Sequence, residues 1–217
     1  MTKTLAEMAT EVLTCGEGRE KTEISKRHAE AWFAARKAGT PIPVGTANPP
    51  LRPSRPAKPE LLDPRDVPRR KPGTPEGRIA ILHAVAHIEL NAVDLHWDLI
   101  ARFSDTPMPI GFYDDWVKAA DEESKHFNLM CDCLEELGSF YGALPAHAGM
   151  WRAAEDTVDD LHGPCAHGQA AEVVGRGGGL GDAVEQDLGA DALIEYNGNS
   201  ILVQGGGGAL DAGDFQF

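Results

Sequence analysis

Eleven of the chain's 15 prolines lie between Pro41 and Pro75, and after Pro75 none occurs until Pro107. Each proline removes a backbone donor and restrains the residue before it, so residues 41–74 can form neither a continuous helix nor a central strand. The spacing predicts an extended arm, with "ELLDPRDVPRR" supplying apolar anchors against a globular surface. The proline-free run that follows has the opposite character. Thr74 is placed to cap a helix, Pro75 suits its first position, and Glu76 favours its positive end. A helix from Pro75 to Phe103 would be about 40 Å long, which is bundle length. "SDTPMPI" stops it, and a second helix is predicted from about Phe112 to Leu137, ended by Gly138. A third begins within "PAHAGMWRAAEDTVDDLH" and must break at Gly163-Pro164.

Residues 1–40 read as an N-terminal helical segment. Leu5, Met8, Ala9, Val12 and Leu13 form one apolar stripe, and Ile24, His28, Trp32 and Phe33 a second, with "TCGEGRE" as the break between them. Residues 75–162 carry the long helices. Residues 163–217 differ in kind: they hold 14 of the 24 glycines, one arginine and no lysine, and are predicted to be largely irregular. "ALIEYNGNSILVQ" is the exception, two β-rich runs around Asn-Gly that read as a hairpin.

The formal charge of −14 argues against nucleic-acid or anionic-membrane surfaces, which need basic patches. The basic residues cluster in 52–78 among prolines and read as a solvated linker. No run of 18 apolar residues is present, so no membrane span is expected, and the N-terminus lacks the apolar core of a secretory signal. Cys15, Cys131, Cys133 and Cys165 have no metal-knuckle or redox spacing, and Cys131 and Cys133, two apart, are expected on different sides of a helix. The expectation is a reduced, cytoplasmic protein. "GRGGGLGD" fits neither a dinucleotide fingerprint nor a P-loop.

The chemistry lies on the two long helices. At 100° per residue, Trp116, Ala119, Ala120, Glu123, Phe127, Met130, Leu134 and Leu137 share a stripe, with His126 at its edge and Glu122 turned towards solvent. On the preceding helix Glu89 lies at the centre of Leu82, Val85, Ala86, Val93, Ile100 and Phe103, and His96 follows on the same line two turns later. His83 and His87 point more than about 100° away from Glu89. An ionised carboxylate in an apolar stripe costs several kcal/mol unless a countercharge or a metal compensates it. A carboxylate on one helix and Glu-x-x-His on the next is half of a di-iron or di-manganese carboxylate site, and this donor set suits iron or manganese. The metal candidates are Glu89, Glu123 and His126, with His96 and Glu172 as secondary ones; no catalytic residue is assigned.

"RPAKPELLDPRDVPRR", "GTPEGRIAILHAVAHIELNAVDL", "FYDDWVKAADEESKHF" and "LGSFYGALPAHAGMWRAAEDT" resemble successive blocks of a bacterial ferritin-like family of unknown function, over roughly residues 10–161. The resemblance implies a ferritin-like helical bundle with a dinuclear centre, Glu89 being the first-helix ligand and Glu123 with His126 the second-helix pair. It also implies a third-helix glutamate, near which Glu172 falls, and a second Glu-x-x-His, which cannot exist because no histidine follows His167. The fold expectation is therefore mainly α, an incomplete bundle with an arm and a glycine-rich tail. The tail's composition reads as a shifted reading frame or a replaced gene end. If the remaining half-site is active, oxygen-dependent redox chemistry follows, and a homodimer pairing two helix hairpins would complete the site. The competing expectation is a non-catalytic helical module or an inactive remnant.

Overall fold

In the computed structural model the described residues are 3–68 and 74–156, together with the backbone of four short strands between 173 and 203. Helix α1 spans Leu5–Thr14 and α2 spans Gly18–Lys37. After the arm come α3, Pro75–Arg102, and α4, Ile110–Glu136, which begins two residues before the predicted start. Helix α5, Gly149–Asp156, is short. Thr74 accepts a hydrogen bond from the Gly77 amide at 3.0 Å, so α3 starts where capping chemistry places it. Among the described residues no helix is long and apolar enough to cross a membrane.

The first four helices form a ring, α1 against α3, α3 against α4, α4 against α2, and α2 against α1. The chain is mainly helical, and among the described residues the core comprises two apolar clusters. One joins Leu5, Val12, Leu13 and Trp32 to Val93, Trp97, Val117 and Ala120. The other lies between α3 and α4 and contains Val85, Ala86, Leu90, Phe127, Met130 and Leu134. The α1 stripe is buried as the pattern requires, whereas Phe33 at the edge of the α2 stripe and Leu137 at the end of α4 are exposed. Cys131 and Cys133 are both buried.

The arm is extended, but its anchors differ from those expected. Leu61 is exposed and Leu62 half-buried, while Ile42, Pro53 and Pro59 are buried. Polar contacts fasten it as well. The Pro43 and Val44 carbonyls accept from the Leu5 and Ala6 amides, satisfying the first donors of α1. The Ser54 carbonyl accepts from Lys21 Nζ at 2.8 Å, and Arg55 donates to Asn91 Oδ1 at 2.6 Å. A two-residue parallel pairing joins β1, Leu61–Leu62, to β2, Ala146–His147.

Gly45 is the tightest point of this strap. Its φ is +66°, and a Cβ there would stand 2.5 Å from the Cβ of Thr4, the residue that caps α1. Gly45→Ala is expected to cost about 1–3 kcal/mol through left-handed strain and overpacking. Urea unfolding measures it, and an unchanged midpoint would refute this account of the strap.

The glycine-rich region is less irregular than expected. Strands β3 (Val173–Gly175), β4 (Val184–Asp187), β5 (Ala192–Tyr196) and β6 (Asn199–Val203) form an antiparallel sheet in the order β3-β6-β5-β4. Tyr196 pairs with Asn199, so β5 and β6 make the hairpin expected around Asn-Gly. Glu172 and Cys165 lie outside the described residues.

Candidate metal centre

Glu89 follows Ala86 and precedes Val93 on α3, and Glu123 stands between Ala120 and Phe127 on α4. Each carboxylate therefore sits where the two apolar clusters meet. The helical period fixes this: Ala86 and Val93, and Ala120 and Phe127, three residues before and four after each acid, are core residues, so the acid between them points inward too. Glu89 is 2% exposed and Glu123 3%. Glu122, one residue before, faces solvent, as the helical-wheel reasoning requires.

His126 Nδ1 lies 3.0 Å from Glu123 Oε2 and 3.7 Å from Glu89 Oε2. One ligand atom from each of Glu89, Glu123 and His126 falls within 4.8 Å of the others, a grouping that suits a shared cation. Glu89 Oε1 is buried without a hydrogen-bond partner. An orphaned carboxylate oxygen in an apolar seam is costly, and a cation would satisfy it.

The electrostatics show how the cluster is held together by protons. Burial, reinforced by the hydrogen bond shared with Glu123, pushes the Glu89 carboxyl up to about 8. Burial also works against Glu123, but its bonds to Glu89 and His126 outweigh that and hold it below the usual carboxylate range. His126 is opposed by burial and carried up to about 9 by the two carboxylates. These directions favour a proton on Glu89, an ionised Glu123 and an imidazolium, a combination with no net charge. A divalent cation with both carboxylates ionised and a neutral imidazole has no net charge either. The donor set fits such an ion, in exchange for two protons.

His96 is buried on the same side of α3, its ring centroid 5.1 Å from that of Trp116. It stands outside the 4.8 Å group. His83 and His87 are also kept apart from Glu89. Tyr141 stacks on both rings, His87 Nδ1 pairs with the Tyr141 hydroxyl at 2.8 Å, and His83 Nε2 accepts from the Gly142 amide. Burial, with Arg55 nearby, drives the His87 pKa down to about 3, so its ring is neutral.

One buried polar feature has no counterpart in the sequence reading. Lys21, fully buried, donates to Asp94, whose carboxyl burial raises to about 6 despite that partner. A signal existed: His83, His87, Asn91, Asp94, Asp98 and Arg102 recur at three- and four-residue steps, a second polar line on α3. That line faces the arm, where Arg55 reaches Asn91 and Arg102 reaches the Pro50 carbonyl.

Known proteins give this geometry a family without giving it a function. Over 111 residues the chain is 44% identical to a protein of Haemophilus influenzae described as "Uncharacterized protein", a match covering 49% of this chain. The chain spans 38% of that relative's length. No solved structure matches the chain. The family model described as "Protein of unknown function (DUF455)" matches residues 14–166, which include every residue of the cluster, and the chain belongs to that family.

Proposed function

We propose that this protein binds one iron or manganese ion per chain between α3 and α4, as a ferritin-like protein that retains half of a dinuclear carboxylate centre. The observation that carries the reading is the buried convergence of Glu89, Glu123 and His126, with Glu89 Oε1 lacking any other partner. The resemblance to ferritin-like proteins and the four-helix ring support it. When bound, such an ion supplies one-electron redox chemistry towards dioxygen, which these side chains lack.

The chain's own residues have definite tasks. Glu89 and Glu123 neutralise the cation, and His126 offers a ring nitrogen once its proton has left. Leu90, Val93, Phe127 and Met130, all buried, keep bulk water from the seam. The Glu123–His126 bond at 3.0 Å favours a second reading, in which the cluster is a metal-free polar network that only orients α4 on α3.

Metal analysis separates the two. Protein loaded with ferrous iron or manganese and freed of excess should hold about one ion per chain, and Glu123→Ala should lose it with the helical content kept. Folded wild-type protein that retains no metal would establish the polar network instead.

A further inference from the structure

We infer that His96 is a second imidazole ligand, so that this chain by itself holds one ion with two carboxylates and two imidazoles. The inference rests on the metal reading above and goes beyond it, because it gives the half-site a fourth protein donor without a second copy or a further helix.

His96 is 5% exposed, and its Nδ1 is buried with no hydrogen-bond partner. Glu89 Oε1 is in the same condition on the same helix, seven residues away. Asp121 Oδ1 also lacks a partner, but its carboxylate is engaged by Lys125 through the other oxygen. Two unsatisfied donor atoms of a kind that ligates metals therefore lie along one seam.

The helix geometry brings His96 and Glu123 to one level of the seam. Glu89 lies beside His126 and His96 beside Trp116, so α3 and α4 run antiparallel. Helical side chains lean towards their own N-terminus. Glu89 and His96 on α3 therefore lean the same way, while Glu123 on α4 leans the opposite way, towards the level of His96. The positions between Glu89 and His96 on α3 and between Trp116 and Glu123 on α4 include Ala92 and Ala119, both short side chains. Trp116 backs the imidazole, and nothing bonded to Nδ1 resists the side-chain rotation that an ion requires.

The electrostatic setting agrees with the geometry. Burial brings His96 down to about 4, and Glu123 is the charge that opposes this effect. The ring is neutral at physiological pH, with its lone pair available.

The test is to titrate Mn(II) into the full-length protein and count the histidine nitrogens on the bound ion by electron–nuclear double resonance. Two are expected in the wild type, one in His96→Gln and one in His126→Gln, with manganese affinity lowered about tenfold or more in each variant. A single nitrogen in the wild type, assigned to His126 by its loss in His126→Gln, would overturn the inference and leave the metal site standing. Wild-type protein that binds neither manganese nor ferrous iron would remove the underlying reading as well. Should His96→Gln fail to fold, the wild-type count and the His126→Gln count still decide the matter.

Discussion

Replacing Lys21 by methionine is expected to lower stability by about 3–5 kcal/mol, the cost of leaving a buried charge without its partner. Lys21 is fully buried against Asp94, and its Nζ also donates to the Ser54 carbonyl of the arm. The substitution therefore strips two acceptors at once and loosens the strap as well as the ring. Asp94, already raised to about 6 beside the lysine, must rise further without it. With its folded pKa above its unfolded one, Asp94 favours the fold at low pH and loses that contribution as pH rises through the folded value. The variant should accordingly be least stable in alkali. Combining Lys21→Met with Asp94→Leu should recover much of the loss, since a well-packed apolar pair can replace a buried ion pair. Urea melts of the four proteins give the coupling. Single substitutions that cost less than about 1 kcal/mol, or losses that simply add, would show that the pair is not what joins arm, α2 and α3.

Metal-free protein should be most stable around pH 6 and lose several kcal/mol by about pH 9. Glu89 rises from 4.5 to about 8 on folding and His126 from 6.5 to about 9. Both folded values exceed the unfolded ones. Each contribution is therefore complete below the unfolded pKa and is lost as pH climbs through the folded one. The acid arm has the opposite cause. His87 falls from 6.5 to about 3 and His96 to about 4, so their contributions exist above 6.5 and vanish as pH drops. A bound divalent cation takes the place of the protons on Glu89 and His126, which should flatten the alkaline arm and steepen the acid one. Thermal melts from pH 5 to 9, with chelator and with manganese, read both arms. Glu89→Gln should flatten the alkaline arm without any metal. An unaltered alkaline slope in that variant would mean that the shared proton is not at Glu89.

The candidate cluster was legible before any coordinates because two regular helices carry it. Once Glu89 and Glu123 are each flanked by apolar residues at helical spacing, the period alone turns both inward, and the same arithmetic sends Glu122 out. The arm was legible as extended for a similarly local reason, since proline density excludes the alternatives. Its attachment was not. The apolar residues of "ELLDPRDVPRR" looked like anchors, yet Leu61 is exposed, and the arm is fastened by Arg55, Ser54 and buried prolines. Such contacts pair residues 33 to 57 positions apart, which no local pattern records.

The amino-acid order by itself set where helices start and stop, which face each one hides, and that two acids and an imidazole would share a dry seam. Those are consequences of caps, prolines and a period of 3.6, which act within a few residues. Only the tertiary structure decided that α1 and α2 close a ring with α3 and α4, that Lys21 meets Asp94, and that His96 is left with an unmatched nitrogen. These depend on which surfaces pack together, and packing is settled between segments far apart in the chain.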